Sequence, residues 1–360
     1  MKKALIAMSG GVDSSVAAYL TIKEGYDCMG VTMKLHNQKD LIISNAHTCC
    51  SLDDIEDARK VSEKLHMPYS VENFSENFKE MVLDNFIYCY ENGMTPNPCI
   101  RCNRYLKFDK LVQKAKEMGC EIIVTGHYAI VEQNPETGRY MLKKAIDASK
   151  DQSYVLYTIS QEMLSIIRFP LGKMLKSEAR DLAEANGFTN ARKRDSEDLC
   201  FVPVGKYTDF IRKQTGKDYP PGDFVSLNGE VMGQHQGIIG YTIGQRKGLG
   251  LSLKEPAYVT ELDMDNNRVI LGRNEDLFKK ELWAEDVNMV SVAEITEPIR
   301  VKAKVRYRHQ EQWATAEMVD GRLHVVFDEP QRAITKGQAV VLYDDDIVVA
   351  GGTITEIGDK

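Results

Sequence analysis

The sequence lacks any uninterrupted apolar run of about 18 residues, so nothing in it reads as a membrane-spanning helix. It lacks an excess of basic charge. Its 46 Lys and Arg stand against 53 Asp and Glu, a formal charge of −7. That excludes a surface coated in positive charge for nucleic acid, although such an average hides a local basic patch. Cysteine is sparse, eight in 360 residues, too few for a small disulfide scaffold. Clustered cysteines in a cytosolic chain read as catalytic or metal-binding instead. The opening MKKALIAMSGGVDSS imitates a signal peptide only briefly, because Gly10, Gly11 and Asp13 interrupt its short apolar stretch. The expectation is a mature cytoplasmic protein with no membrane partner. Internal repeats and low-complexity tracts are also missing. What remains is 43% hydrophobic, an ordinary globular composition, at a length that suggests two or three domains.

Residues 1 to about 126 alternate strand-like and helix-like segments. Ala4–Met8 and Cys28–Met33 are short apolar runs. A helix pattern follows the first through Val16, Ala17 and Leu20. Leu52 to Leu65 is charged and periodic, with Ile55, Ala58, Val61 and Leu65 at helical spacing. Pro68-Tyr69-Ser70-Val71 restarts a strand. Phe108, Leu111, Val112, Ala115 and Met118 form the apolar face of another helix, with Gly119 at its C-terminal cap. Glu121–Gly126 is the next strand. Such alternation implies an α/β domain with a mostly parallel sheet covered on both faces. Past residue 205 the texture changes. A Pro220-Pro221-Gly222-Asp223 turn and a glycine-dense stretch over 229–250 precede short alternating runs from Ala257 onward. These predict an all-β tail, a small barrel. Boundaries near 205 and 280 divide the chain into 1–205, 206–280 and 281–360.

Ser9-Gly10-Gly11-Val12-Asp13-Ser14-Ser15 follows the first strand and opens the first helix. Two glycines let the backbone approach an anion closely. Amides at the helix start point outward, and the helix dipole favours negative charge there. Ser9, Ser14 and Ser15 add hydroxyls. Asp13 would repel a phosphate, which makes it a candidate for Mg2+. An ordinary tight turn with a serine cap is the plainer reading of two glycines alone, but not of the whole run. The lysine and spacing of G-x-x-x-x-G-K-S/T are missing, so this is not a Walker loop. The run resembles the PP-loop of ATP pyrophosphatases. That likeness implies ATP bound by Ser9 through Val16, with cleavage to AMP and pyrophosphate.

Thr95-Pro96-Asn97-Pro98-Cys99-Ile100-Arg101-Cys102-Asn103 reads as a loop, because its two prolines disfavour helix. Cys102 is expected just before the helix that runs to Met118, with Asn103 as a possible cap. A helix start, with Arg101 and Arg104 nearby, stabilises thiolate. The alternative for Cys99 and Cys102 is a structural zinc half-site, although no second C-x-x-C completes it. Cys200 lies far along the chain in Ser196-Glu197-Asp198-Leu199-Cys200-Phe201. Cys28, Cys89 and Cys120 read as packing residues. Cys49 and Cys50 stay unassigned.

Taken together, S-G-G-V-D-S-S, T-P-N-P-C-I-R-C-N, T-G-H-Y-A, K-D-Q-S-Y and S-E-D-L-C-F resemble the bacterial tRNA-specific 2-thiouridylases, in order and over nearly the whole chain. The resemblance implies a PP-loop ATP pyrophosphatase domain over 1–205, a central tRNA-contacting domain over 206–280 and a tRNA-binding barrel over 281–360. It implies replacement of the C2 oxygen of uridine 34 by sulfur, using ATP and Mg2+. Cys200 would carry sulfur as a persulfide delivered by an upstream donor such as a cysteine desulfurase or relay protein. Cys102 would release it and close a transient Cys102–Cys200 disulfide. Some members carry Asp where this chain has Cys99. With Cys99, Cys102 and Cys200 all thiols, a four-iron four-sulfur cluster is a second route, and both stay open.

Arg300, Lys302, Lys304, Arg306 and Arg308 alternate with apolar residues. On one strand they would share a face, about 6.6 Å apart, suited to a phosphate backbone. A solvated edge strand guarded by cations is the plainer alternative. By resemblance, Arg306, Tyr307 and Gln338 should touch tRNA and Lys150-Asp151-Gln152 should line the anticodon entrance. Asn97, Pro98 and Cys99 should meet the flipped base, with His127 close by. Met33 and Gly126, at strand ends, should border the adenosine. The rivals are a PP-loop ligase acting on a small molecule, and an RNA-binding protein with a structural metal at Cys99 and Cys102.

Overall fold

The computed structural model describes residues 2–35, 52–193, 195, 199–202 and 207–358. Cys49, Cys50 and the Ser196-Glu197-Asp198 part of the last motif lie outside the described residues.

The first sheet is built from β1 (Lys3–Ala7), β2 (Asp27–Lys34), β3 (Tyr69–Asn73), β4 (Ile122–Val124) and, after a hairpin, β7 (Ile167–Arg168). Its order is β3-β2-β1-β4-β7, and every pair is parallel. Ala4, Leu5 and Ile6 are fully buried, as expected of a strand covered on both faces. The chain leaves β1 on one side to form β2 and β3, and returns on the other as β4. The loops after β1 and β4 therefore meet at a topological switch point, where open α/β sheets bind ligands. Helix α1 (Val12–Lys23) packs there on small residues, with Val16, Ala17 and Ala18 fully buried. Helix α2 (Leu52–Lys64) covers the β2–β3 side of the sheet.

The hairpin β5 (Ile130–Gln133) and β6 (Tyr140–Lys143) leaves this sheet and joins the barrel, through Ile347 opposite Lys143. A second sheet has the order β10-β11-β8-β9, from β8 (Gly222–Ser226), β9 (Val231–His235), β10 (Tyr258–Asp263) and β11 (Arg268–Gly272). The last six strands are β12 (Phe278–Met289), β13 (Ile299–Lys304), β14 (Gln312–Val319), β15 (Arg322–Arg332), β16 (Ala339–Asp344) and β17 (Ile347–Gly358). They follow one another as β12-β15-β14-β13-β16-β17, and β12 pairs with β17 to close a six-stranded barrel. Closure removes the free edges an open sheet would expose. Val301, Ala303, Ala314, Ala316, Leu323, Val325 and Phe327 fill its interior.

Three local expectations need correction. The stripe of five cations is a strand only through Lys304. Arg306 and Arg308 fall in the turn before β14, so only Arg300, Lys302 and Lys304 share the outward face. The segment 98–101 is helical rather than loop, because Pro98 takes the first helical position, where a missing N–H costs nothing. Its cap is Asn97, whose Oδ1 accepts from the Ile100 amide at 3.3 Å. Asn103 is therefore no cap. It is buried in the next, π-wound segment (Cys102–Lys110) and donates to the Val155 carbonyl at 3.0 Å.

Candidate active site

The loop between β1 and α1 is held by its own short side chains. Ser14 Oγ accepts from the Ser9 amide at 3.2 Å and donates to the Gly11 carbonyl at 3.0 Å. Ser15 Oγ donates to the same carbonyl at 3.1 Å. Gly10 has φ +76°, and a Cβ there would lie 2.2 Å from the Asp54 carbonyl oxygen. Gly126 follows β4, and a Cβ there would lie 2.7 Å from the backbone of Asp13 and Ser14. Both glycines are thus demanded by close approach. Gly11 caps α1 without a side-chain hydrogen bond, which leaves the first-turn amides available to an anion. Val12 and Val16 are buried beneath, and Met33 is buried near the end of β2.

Charged residues from distant segments converge on this loop. Lys176 Nζ donates to both oxygens of Asp13 at 2.7 Å and pairs with Asp195 at 2.9 Å. Tyr128 donates its hydroxyl to Asp13 Oδ1 at 2.9 Å. Burial and Asp13 push the Tyr128 phenol far up, so it stays protonated. Asp195 also takes Lys150 at 2.7 Å and Arg180 at 2.9 Å. Burial alone would raise its carboxyl, but the hydrogen bonds and charges of Lys150 and Lys176 outweigh that and hold it low. Asn190 Nδ2 bridges the Gly10 carbonyl at 3.0 Å and Ser15 Oγ at 2.9 Å. Lys193 pairs with Asp54 and Asp57 at 2.6 Å each. The sequence reading missed Tyr128, Lys176, Asn190, Lys193 and Asp195. Only Tyr128 carried a signal, next to His127 in T-G-H-Y. The lysine absent from the loop sequence is supplied in space by Lys176.

This arrangement bears on Mg2+. Both oxygens of Asp13 already accept from Lys176, so a metal at Asp13 does not fit unless that pair opens. Among the described residues, no group of three or more His, Cys, Asp or Glu is placed to hold a metal ion.

The cysteine segment lies at the border with the barrel. Cys99 is exposed, Cys102 is buried, and Cys200 is partly buried against the main core. Arg101 Nε donates to the Met81 carbonyl at 2.8 Å, and Arg104 pairs with Asp286. Gln338 Nε2 donates to the carbonyls of Thr95 and Pro96 at 2.9 and 3.0 Å, and the Thr95 amide donates to Lys336 at 2.9 Å. A barrel loop thus clamps the approach to Asn97, Pro98 and Cys99. Burial pushes the Cys28 thiol up to about 12 and that of Cys89 up to about 11, in keeping with inert packing thiols.

The 150–152 loop joins the two regions. Lys150 faces Asp195 in the phosphate-loop network. Gln152 Oε1 accepts from the Tyr128 amide at 2.9 Å. The Asp151 carboxylate caps Ala145 and Ser153, and its carbonyl accepts from the Tyr307 hydroxyl at 3.0 Å. Burial raises the Tyr307 phenol, and Asp151 and Cys99 raise it further. Arg306 donates to the carbonyls of Ile243 and Ala333 at 3.2 and 2.7 Å and to Thr335 Oγ1 at 2.5 Å. Its Nη2 therefore ties the central domain to the barrel. His127 is buried, 2.6 Å from Thr125 Oγ1 and packed on Phe108 and Phe169. Burial, then Lys107, holds it neutral well below its ordinary range.

A phosphate loop at a sheet switch point, bridged to a cysteine helix clamped by a barrel, defines a nucleotide-using enzyme of composite build. Three family models match consecutive parts of the chain: a tRNA methyl transferase HUP domain over residues 2–204, a tRNA methyl transferase PRC-barrel domain over 208–273 and an aminomethyltransferase beta-barrel domain over 279–354. A protein of Clostridioides difficile (strain 630) named tRNA-specific 2-thiouridylase MnmA is 49% identical over 354 residues, covering 98% of each chain. Proteins of that name in Thermoanaerobacter sp. (strain X514) and Acetivibrio thermocellus are 48% and 46% identical, covering 98% of this chain and 97% and 99% of theirs. A solved 4-thiouridine synthetase–RNA complex with bound ATP overlaps 60% of this chain and 50% of its own at 18% identity, with a TM-score of only 0.35. The chain belongs to the tRNA-specific 2-thiouridylase family.

Proposed function

We propose that this protein is an ATP-dependent tRNA sulfurtransferase that converts uridine 34 to 2-thiouridine in the cytoplasm. Among the described residues no helix is long and apolar enough to cross a membrane. The observation that carries the reading is the 150–155 segment, which touches the phosphate-loop network through Lys150 and the cysteine segment through the Val155 carbonyl, which accepts from Asn103 next to Cys102. Nucleotide activation and sulfur delivery then act on one base.

The chemistry divides between the two regions. Ser9–Ser15 and the first-turn amides of α1 hold the ATP phosphates, and Val16, Met33 and Gly126 line the approach to the adenosine. Lys176 sets a cation beside the phosphate loop, where pyrophosphate departs. Mg2+ would offset phosphate charge when it enters with ATP. The uracil C2 oxygen attacks the α-phosphorus, pyrophosphate leaves, and the oxygen now bears AMP. The terminal sulfur of a Cys200 persulfide attacks C2, and AMP departs with the former oxygen. The Cys102 thiolate then attacks Cys200 Sγ, the S–S bond to the transferred sulfur breaks, and that sulfur stays on C2. The resulting Cys102–Cys200 disulfide is reset by two electrons from an external thiol. An upstream sulfur donor supplies the next persulfide. Asn97, Pro98, Cys99, Lys150–Gln152, Arg306, Tyr307 and Gln338 form the RNA-facing border, with neutral His127 buried behind it.

The test incubates the protein with ATP, a persulfide donor and tRNA bearing uridine 34. The expected products are 2-thiouridine, AMP and pyrophosphate in equal amounts. Release of ADP, or thiolation that survives Cys200→Ser, would overturn the mechanism.

A further inference from the structure

The outward face of β13 carries more than a row of cations. Lys302 stands directly opposite Trp313 on β14, with its Nζ 5.3 Å from the indole centre. Arg300 lies 5.0 Å from the same ring. Lys304 sits 5.8 Å from Tyr154 and 5.7 Å from Tyr307. Trp313 is nonetheless 48% exposed and Tyr307 38% exposed. A Trp left half in water on the outside of a closed barrel contributes little to the core.

The patch has a direction. At its inner end the Tyr307 hydroxyl donates to the Asp151 carbonyl at 3.0 Å. At its outer end Arg300 is paired with Asp328, where the cationic character stops. Among the described residues Lys302 and Lys304 form no ion pair, and both lie over aromatic rings. Four residue steps of strand carry the chain from Arg300 to Lys304, a reach of about 13 Å. Cations that follow a phosphate backbone, interleaved with rings that accept a base face, are the recognition chemistry of single-stranded nucleic acid. A duplex offers no free base face to Trp313, and an acidic peptide has no use for the exposed rings.

We infer that the β13–β14 wall holds an unpaired nucleotide flanking the target uridine, its base stacked on Trp313 and its phosphates at Lys302 and Lys304. The inference rests on the proposed function for the identity of the RNA. Its test reads binding rather than thiolation, so the two can fail separately. The chain has two tryptophans, Trp283 and Trp313. In a W283F protein the emission therefore reports Trp313 alone. Titration with tRNA bearing uridine 34 should quench it saturably, and an acceptor-stem minihelix with no anticodon loop should not. Independently, in the otherwise native chain, W313A should weaken tRNA binding about 5- to 100-fold. W313F, which keeps a stacking face, should restore most of the affinity. K302Q should lower the slope of log affinity against log salt by about one. Unchanged Trp313 emission at saturating tRNA, native affinity in W313A, or equal quenching by the minihelix would overturn the inference. Formation of 2-thiouridine in the same samples bears only on the proposed function.

Discussion

The phosphate loop and the cysteine segment are built in opposite ways. The first has its frame within seven residues, where Ser9, Ser14 and Ser15 bond the loop's own backbone, and later segments add charge to it through Lys176 and a bridge through Asn190. The second is held from outside. Gln338 and Lys336 clamp Thr95 and Pro96, Asp286 holds Arg104, and Tyr307 closes over Asp151. A site that grips a common nucleotide gains from being rigid and local. Under the proposed function, a site that hands sulfur to a large RNA gains from being assembled only where the barrel and sheet domain meet.

That contrast is broken most sharply at the thiols. Cys200→Ser and Cys102→Ser should each remove thiolation by about a thousandfold or more while leaving AMP transfer to tRNA intact, measured by 2-thiouridine content and pyrophosphate release. Next in size is the phosphate loop. Gly10→Ala meets both a positive φ and the Asp54 carbonyl, and should cost about 3 kcal/mol or more with loss of ATP binding, read by denaturant melts and nucleotide titration. Lys176→Met should slow pyrophosphate release about 100-fold while the protein stays folded, because it removes the cation shared by Asp13 and Asp195. Smaller again is Gln338→Ala. Losing two hydrogen bonds to Thr95 and Pro96 should lower thiolation about tenfold and spare adenylation, a split that single-turnover assays resolve.

The smallest effect is a pH dependence. His127 is held neutral by burial and by Lys107. The unfolded chain binds a proton at His127 below its ordinary value near 6.5, and the native chain does not. Its contribution to stability is therefore complete above about pH 6.5 and is lost as pH falls toward the depressed native value. His127→Leu should flatten that part of the stability profile in denaturant melts between pH 7 and 5.

How much was legible follows the same divide. The S-G-G-V-D-S-S run is local, so its place between β1 and α1 could be read from residue order alone. Lys176, Asn190 and Asp195 reach the loop only through packing of later segments, and K-S-E-A or a lone Asp carries no mark of that. The parallel sheet and the closed barrel were legible from alternating apolar runs. The end of β13 was not, because R-Y-R keeps the same charge rhythm after the backbone has turned at Val305. Pro98 was misread because a proline that breaks one helix opens another.

The central claim is that ATP activates the C2 oxygen of the base before sulfur arrives. Cys102→Ser/Cys200→Ser protein, given ATP labelled at the α-phosphorus and tRNA bearing uridine 34, tests it most directly. The account predicts labelled AMP joined to uridine 34, with one pyrophosphate released for each. RNA that stays unlabelled while the native enzyme thiolates the same tRNA would contradict it.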